Sequence, residues 1–269
     1  MRLVAIYNVW DDWDLLECSI KNILPLVDGV IVVYSENSNY GEGQNIGLLS
    51  SLDFYDNLKD NIKSDKVDYY QFEPKAELPP MQNETAKRNH GLHLARLLNF
   101  THFITMDADE FYHPEDISCG TKMFHDNPNL KGIVVSSQVY FKSPTLTIGL
   151  DTTRVPFIHK ITPDLQHCFN RKYPFAWEGL RDIRIDPTRS LNINDGVEFV
   201  PEIVMHHYSW IRSDYEKKIR NSTARANIEK STIRQDLLNA TDGYYCNFYG
   251  KVLHTVPNYF NIPDYGVSL

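Results

Sequence analysis

The sequence has 269 residues, of which 42% are hydrophobic and 23% are charged. This composition is typical of a globular protein with an ample core, arranged as one large domain or two small ones. Lys and Arg total 27 against 35 Asp and Glu, which gives a formal net charge of -8. Affinity for nucleic-acid phosphates depends on a surplus of Lys and Arg, so the acidic balance argues against a general nucleic-acid binder. A local site for a small phosphorylated ligand stays compatible with it.

Cysteine spacing and hydropathy indicate the cellular compartment in which the protein is expected. The four cysteines lie far apart, with no Cys-x-x-Cys pair: Cys18, Cys119, Cys168 and Cys246. Zinc ribbons and a dense disulfide framework are therefore not expected, and the cysteines are predicted to be free thiols. No apolar run reaches the ~18 residues of a membrane-spanning helix, and no signal-peptide core follows Met1. We expect a cytoplasmic location and no membrane span.

Strand and helix patterns alternate through the first half of the chain. Apolar runs predict strands at 3–7, 30–34, 67–72 and 101–106, and helical spacing predicts helices from about Asp11 to Leu24, at 47–58 and at 83–98. Strands that alternate with helices form βαβ units and a largely parallel sheet. Helices cover both faces of such a sheet, which explains strands that are apolar runs rather than alternating patterns.

The second half of the chain is less regular. Its clearest strands are predicted at 131–141 and 203–210, with short strands between them. Ser213 and Glu216 have the spacing of a capping box, which predicts a helix to about Lys230. On this helix Glu216 and Arg220 are expected to form an i,i+4 ion pair.

The most informative motif is the acidic run Asp107, Asp109 and Glu110, which follows the predicted strand at 101–106. Residues i and i+2 of an extended chain point the same way, about 6.5–7 Å apart. Asp107 and Asp109 can therefore converge on one cation at the carboxyl end of the strand, where ligands bind in open α/β sheets. Hard oxygen ligands suit Mg²⁺ or Mn²⁺. Taken alone, the motif also fits a solvated turn or a helix cap.

Residues upstream of the acidic motif add a resemblance to a known family. The helix just upstream contains Arg88, Asn89 and Gly91. This helix is followed by an apolar strand that ends at the Asp-x-Asp motif. The arrangement resembles the sugar-nucleotide half of family-2-like glycosyltransferases of the GT-A fold. The resemblance covers residues 1 to about 115. It implies an α/β, GT-A (Rossmann-like) fold with a mostly parallel central sheet flanked by helices.

The same resemblance implies how the chain is divided. We expect a single domain over residues 1–269, with a nucleotide-sugar-binding half at 1–115 and a mixed β/α acceptor-binding half at 116–269. No linker-like stretch and no internal repeat separates the halves.

A second stretch of the chain also resembles this fold family. Residues 205–212 read Met-His-His-Tyr-Ser-Trp-Ile-Arg, similar to a His-x-Ser-Trp-x-Arg stretch in which a late His completes the metal site. Neighbours on a strand face opposite ways, so one of His206 and His207 is expected to face the metal, and alignment with the motif favours His207. The resemblance implies Mn²⁺ or Mg²⁺, with Asp109 as direct ligand and Asp107, His207 and His206 as further candidates.

By resemblance, the donor is a nucleoside diphosphate sugar, with a UDP-sugar favoured, and the acceptor is a saccharide or glycan. Arg88 is the natural sugar or phosphate clamp, because its planar fork can hold two oxygens. The other candidates for donor binding are Asn8, Tyr34, Glu36, Asn89, Asp107 and Arg212. Tyr34 could stack on the base and Glu36 could accept a ribose hydroxyl. This stretch lacks the acidic pair that family members often carry, so the identity of the nucleotide stays open. A second departure from the family pattern is Lys142, where family members often carry Gly.

The expected transfer inverts the anomeric centre, so a carboxylate must accept the proton of the acceptor hydroxyl. In family-2-like enzymes this base lies well downstream of the Asp-x-Asp motif. Glu178 is the first candidate, because the preceding Trp177 would raise its pKa by desolvation and could stack on a sugar face. Asp182 is the second candidate, and it could equally form an ion pair with Arg181.

Two alternative functions stay open beside a metal-dependent hexosyl- or pentosyltransferase. A sugar-nucleotide pyrophosphorylase makes the donor rather than using it, but such enzymes carry a Gly-rich loop after the first strand, whereas residues 8–12 contain no glycine. A non-catalytic glycan-binding protein on the same fold would lack metal binding and donor hydrolysis.

Overall fold

The computed structural model describes residues 1–10, 13–40, 51–169, 184–185, 188–193, 195–212, 214–221, 228 and 231–266. The helices within these residues are α1 (Trp13–Ile23), α2 (Ser51–Ile62), α3 (Pro80–Leu97), α4 (Pro114–Asp126), α5 (Tyr215–Asn221) and α6 (Ile233–Asn239). The strands are β1 (Leu3–Val9), β2 (Gly29–Tyr34), β3 (Val67–Gln71), β4 (His102–Met106), β5 (Glu110–Phe111), β6 (Gly132–Phe141), β7 (Leu146–Lys160), β8 (Arg184–Ile185), β9 (Val197–Trp210), β10 (Tyr245–Cys246), β11 (Lys251–Val252) and β12 (His254–Thr255). Strands β10 and β11 form a hairpin, and the other strands form one sheet.

The first four strands form the parallel part of the sheet, in the order β3-β2-β1-β4. Strand β1 pairs with β2 on one side and β4 on the other, and β3 pairs with β2, all in parallel. Nearly every residue of β1 and β2 is buried, which is why these strands are apolar runs. The strands predicted in the first half of the sequence are confirmed.

Helices cover both faces of this parallel part. Ala5 and Tyr7 share a core with α1, α2 and α4, whereas Val4 and Ile6 share one with α3 residues such as Leu92. This division follows from the alternation of side chains along a strand. Because the four strands are parallel, their carboxyl ends lie at one edge of the sheet.

The second part of the sheet is mixed. Strand β7 is antiparallel to β4 and to β6, β6 is parallel to β9, and β9 is antiparallel to β5. The sequence analysis expected only short strands between 142 and 200, but β7 alone spans fifteen residues. Its middle alternates between exposed and half-buried residues, so it carries no continuous apolar run. The predicted α/β class is confirmed, with a Rossmann-like parallel part flanked by helices and a mixed second part.

The N-termini of two helices, α4 and α5, carry residues that favour the start of a helix. Helix α4 was not predicted, although Pro114 occupies its first turn together with acidic residues, a common start of a helix. Helix α5 is capped by Asp214, whose Oδ1 accepts a hydrogen bond from Lys217 N at 2.8 Å. Glu216 accepts hydrogen bonds from Arg234 Nε at 2.6 Å and Nη2 at 2.9 Å. Ser213 and the side chain of Arg220 lie outside the described residues.

Two further findings concern the whole described chain. No helix in that part combines the length and the apolar character that crossing a membrane requires. The four cysteines are free thiols, as predicted.

Candidate functional site

The acidic motif lies on the turn between β4 and β5, at the carboxyl edge of the parallel strands. Strand β4 ends at Met106, and a hydrogen bond from Glu110 N to Asp107 O at 3.2 Å closes the turn. Glu110 begins β5 and lies opposite His207 of β9. The turn therefore places the carboxylates of Asp107, Asp109 and Glu110 beside the late strand that carries the two histidines.

Asp109 is surrounded by cationic groups. Its Oδ1 lies 3.5 Å from His207 Nε2, and its Oδ2 accepts a hydrogen bond from Arg212 Nη2 at 3.2 Å. Lys218 Nζ lies 3.6 Å from the same Oδ2. Although burial favours the protonated acid, His207 and Lys218 hold the pKa of Asp109 well below its usual range. Burial opposes a charge on His207 too, yet Asp109 raises the pKa of this imidazole.

Two arginines hold the other two carboxylates. Arg88 Nη2 donates to Asp107 Oδ1 at 3.1 Å and to Glu84 Oε1 at 3.0 Å. Arg189 donates to Asp107 and to both carboxylate oxygens of Glu110, at 3.0 Å for Oε2. Burial raises the pKa of Glu110, and Arg189 opposes that effect. The sequence analysis missed Arg189, because no local pattern connects it with an acidic run so far away in the chain.

Most of the charged side chains around Asp107, Asp109 and Glu110, here called the acidic cluster, are shielded from solvent. Among the described residues, its carboxylates are contacted by Arg88, Arg189, Arg212 and Lys218. The side chains of His207, Asp107 and Lys218 are 28%, 22% and 17% exposed. The carboxylates of Asp109 and Glu110 and the three guanidinium groups are at most 7% exposed. A ligand that arrives from solvent therefore meets His207, Asp107 and Lys218 first.

Three residues of this cluster could hold a metal ion. Asp109, Glu110 and His207 each offer a ligand atom, and these atoms lie within 4.8 Å of one another. Two carboxylates and an imidazole suit Mn²⁺, with waters in the remaining positions. Asp107, another ligand candidate from the sequence, is instead engaged by two arginines. The residues present fit a divalent cation at Asp109 and His207, with Glu110, which Arg189 also holds, as a third partner.

His206 does not join this group. Its Nδ1 lies 2.7 Å from the Tyr140 hydroxyl, and its ring packs edge-on against His113 and Phe260 at centroid distances of 4.9 and 5.0 Å. Burial among these rings lowers the pKa of His206 to about 3. Strand alternation directs His207, and not His206, toward Asp109.

Each named residue of the Arg-Asn-x-Gly motif on α3 has a partner in the fold. Arg88 reaches the acidic cluster, as described above. Asn89 donates from Nδ2 to His167 O at 3.0 Å and accepts from His167 N at 2.7 Å. A Cβ on Gly91 would lie 2.5 Å from Ile6 Cγ2, so a glycine lets α3 approach β1. The amide of Asn89 thus holds the backbone of His167, and its contact with the donor stays a prediction.

A small cavity lies behind Arg88. Its volume is about 10 Å³, room for about one water molecule. The cavity is lined by Ile6, Tyr7, Asn8, Lys87, Arg88, Thr105 and His167. Asn8 Oδ1 is buried, and no described residue donates a hydrogen bond to it. The end of β1 thus brings the predicted donor-binding residue Asn8 close to Arg88.

The end of β2 carries the two residues predicted to bind the base and ribose. The ring of Tyr34 lies 3.9 Å from that of Tyr55 between centroids, and Tyr34 is only 9% exposed. The ring of Tyr34 is packed in the core, and its stacking on a base stays a prediction. Glu36 is exposed in the loop that follows.

One residue that the sequence analysis missed holds the loops at this edge. Asn83 donates from Nδ2 to Asn39 O at 3.3 Å and to Lys75 O at 2.9 Å, and its Oδ1 accepts from Lys75 N at 2.9 Å. It therefore joins the loop after β2 to the loop after β3. The two candidate bases, Glu178 and Asp182, lie outside the described residues, and their roles stay predictions.

Comparisons with known proteins add likenesses of fold. No protein-family model matches the sequence, and no curated protein matches it. Among solved structures, the chain is similar to S. aureus TarS, with 11% identity and a TM-score of 0.43 over 89% of this chain and 43% of that one. It is also similar to a TarS fragment in complex with UDP-GlcNAc, with 13% identity and a TM-score of 0.33 over 52% of this chain and 34% of that one. A third likeness is to CMP:2-keto-3-deoxy-manno-octonic acid synthetase complexed with CTP, with 11% identity and a TM-score of 0.34 over 54% of this chain and 58% of that one. The chain spans less than two thirds of the length of each of these three structures.

Proposed function

We propose that this protein is a divalent-cation-dependent glycosyltransferase. It moves a sugar from a nucleoside diphosphate sugar, with a UDP-sugar favoured, to a saccharide acceptor, with inversion at the anomeric carbon. One observation carries the proposal: Asp109 and His207 lie 3.5 Å apart at the carboxyl edge of the sheet, next to partly exposed cationic groups. Ligands of open α/β sheets bind at this edge, and a cation together with basic side chains can neutralise the charge of a diphosphate.

The metal proposal rests on the donor set. Asp109 and His207, with Glu110 behind them, would hold Mn²⁺ or Mg²⁺. When bound, the cation supplies Lewis-acid neutralisation of the charge that develops on the leaving diphosphate.

The donor is held by residues around this centre. Asp107 is partly exposed, and Arg88 fixes its orientation from behind. We assign Asp107 to the hydroxyls of the ribose or the sugar. Glu36, exposed at the end of β2, is the candidate for a ribose hydroxyl. Arg212 keeps Asp109 in place through its hydrogen bond to Oδ2.

The acceptor hydroxyl must lose a proton as the new glycosidic bond forms. Glu178 is the first candidate for this general base, and Asp182 is the second. A carboxylate in this role works best when its pKa lies close to the operating pH. The test is the pH profile of transfer in Glu178→Gln and Asp182→Asn variants.

Donor hydrolysis tests the proposed function directly. Purified protein is incubated with UDP-sugars and Mn²⁺, and the release of UDP is followed by phosphorus NMR. We expect release by the wild type, a loss of at least about 100-fold in Asp109→Asn and His207→Gln, and retention in the matched control His206→Gln.

Other outcomes separate the alternatives. Formation of pyrophosphate from a nucleoside triphosphate and a sugar 1-phosphate would identify a pyrophosphorylase instead. Glycan binding with no nucleotide binding and no UDP release would identify a non-catalytic protein. Full activity in Asp109→Asn would refute the proposal that Asp109 is a metal ligand.

A further inference from the structure

Lys218 lies where the acidic cluster meets solvent. It is carried by α5, and its Nζ lies 3.6 Å from Asp109 Oδ2. The same ammonium donates a hydrogen bond to the Ser209 hydroxyl and sits 5.2 Å from the centroid of the Trp210 ring. These contacts hold a cationic side chain beside the predicted metal ligand, and no pattern in the sequence singled it out.

Lys218 differs from the arginines of the cluster in exposure and in chemistry. Arg88, Arg189 and Arg212 are at most 7% exposed, whereas Lys218 is 17% exposed. An arginine held by several directed hydrogen bonds is fixed in orientation, but an ammonium on a four-carbon stem can turn its three donors to a new partner. Among the described lysine and arginine side chains of this cluster, Lys218 is therefore the one that can turn toward an incoming anion.

A cation at Asp109 would change the surroundings of this ammonium. Positive charges within a few ångströms repel each other strongly in a partly buried site. An anion bound beside both charges removes that repulsion and accepts charge-assisted hydrogen bonds. The diphosphate of a nucleotide sugar is such an anion.

We propose that Lys218 is a phosphate-binding residue for the donor diphosphate, and that Asp109 holds its ammonium in place until the diphosphate binds. This inference rests on the proposed function, because it specifies which side chain meets the leaving group of that reaction. A residue with a merely structural role would affect the binding of every part of the nucleotide alike. A phosphate-binding residue affects only ligands that carry the diphosphate.

The test compares Lys218→Gln with Lys217→Gln by isothermal titration calorimetry in the presence of Mg²⁺. Lys217 is its neighbour on α5, so the control removes the same charge from the same helix. The ligands are UDP, inorganic pyrophosphate and uridine. We expect Lys218→Gln to weaken UDP and pyrophosphate at least about tenfold, the effect of losing one charge-assisted hydrogen bond. Uridine binding is expected to change less than twofold, and Lys217→Gln to match the wild type for all ligands.

Each other outcome decides between the two proposals. Equal affinities of Lys218→Gln and Lys217→Gln for UDP and pyrophosphate would overturn the inference, and so would an equal loss for uridine. If the wild type binds pyrophosphate through Lys218 but binds no nucleotide, the proposed function fails while the anion site stands. If it binds neither ligand, both fail. Should Lys218→Gln not fold, Lys218→Met keeps the stem over Trp210 and replaces it in the same comparison.

Discussion

Removal of the Arg189 guanidinium tests whether the cluster is held together as described. Arg189 is 3% exposed and donates hydrogen bonds to Asp107 and to both carboxylate oxygens of Glu110, which is fully buried. In Arg189→Met, Asp107 still has Arg88 as a partner, but Glu110 loses its only ion-pair partner among the described residues. Breaking a buried ion pair by removing one partner costs about 3–5 kcal/mol. We expect the free energy of unfolding to fall by that amount.

Urea unfolding at neutral pH, followed by circular dichroism, measures this loss. Arg189→Lys keeps the charge without the planar fork and is expected to lose less than Arg189→Met. The double variant Arg189→Met/Glu110→Gln removes the unpaired charge and is expected to recover at least half of the loss. A loss below about 1 kcal/mol in Arg189→Met, or no recovery in the double variant, would refute the account of this ion pair.

Three further predictions concern single residues, and urea unfolding measures each of them. Buried Asp236 accepts hydrogen bonds from Tyr244 Oη at 2.9 Å and Phe248 N at 2.8 Å, so Asp236→Asn is expected to cost about 2 kcal/mol at pH 7. Burial opposes ionisation of Asp236, but the hydrogen bond from Thr232 Oγ1 at 2.7 Å, together with those from Phe248 and Tyr244, holds its pKa below its usual value. The stability that the ionised Asp236 contributes is present above about pH 4 and is lost as the pH falls through the folded-state pKa. The difference in stability between Asp236→Asn and the wild type should therefore shrink at low pH. Lys142 has a φ of 69°, in the left-handed region that only glycine adopts without strain. Lys142→Gly is therefore expected to be about 1 kcal/mol more stable than Lys142→Ala, which keeps the backbone strain. Equal stability of the two variants would contradict this. Gly91→Ala is expected to cost about 1–3 kcal/mol through overpacking against Ile6, and a gain in stability would show that α3 can shift.

The parallel part of the fold could be predicted from the sequence because its signals are local. Strands β1 and β2 are apolar runs covered on both faces, and the buried residues of α3 recur at helical spacing, as at Lys87, Gly91 and Ala95. The acidic motif was also placed correctly, since it directly follows β4. Strand β7 escaped prediction because its partly exposed middle breaks the apolar run.

The candidate site could be predicted only in part because its contacts are long-range. The motif drew attention to Asp107, Asp109 and the histidine pair, but only the register of β9 against β5 shows that His207 faces Asp109. Arg189 and Lys218 reach the cluster from separate segments, and nothing in their local sequence distinguishes them from solvated cations.

The family resemblance could not show what the Asn89 side chain does within the fold. Asn89 belongs to the motif that suggested the donor site, yet its amide holds the backbone of His167. A motif can thus accompany a function because it builds the local fold. Side-chain geometry was needed to separate this role from ligand contact.

The most direct test of the central claim is thermal unfolding with UDP, GDP and dTDP, each with Mn²⁺ and with EDTA. A ligand at 100 times its Kd adds about 2.7 kcal/mol of stability, or about 5–10 °C for a chain of this size. We predict a shift of this size for one nucleotide, with a requirement for Mn²⁺ and loss of the shift in Asp109→Ala. The absence of a shift with all three nucleotides, with metal or without it, would contradict the claim that this edge of the sheet binds a nucleotide sugar.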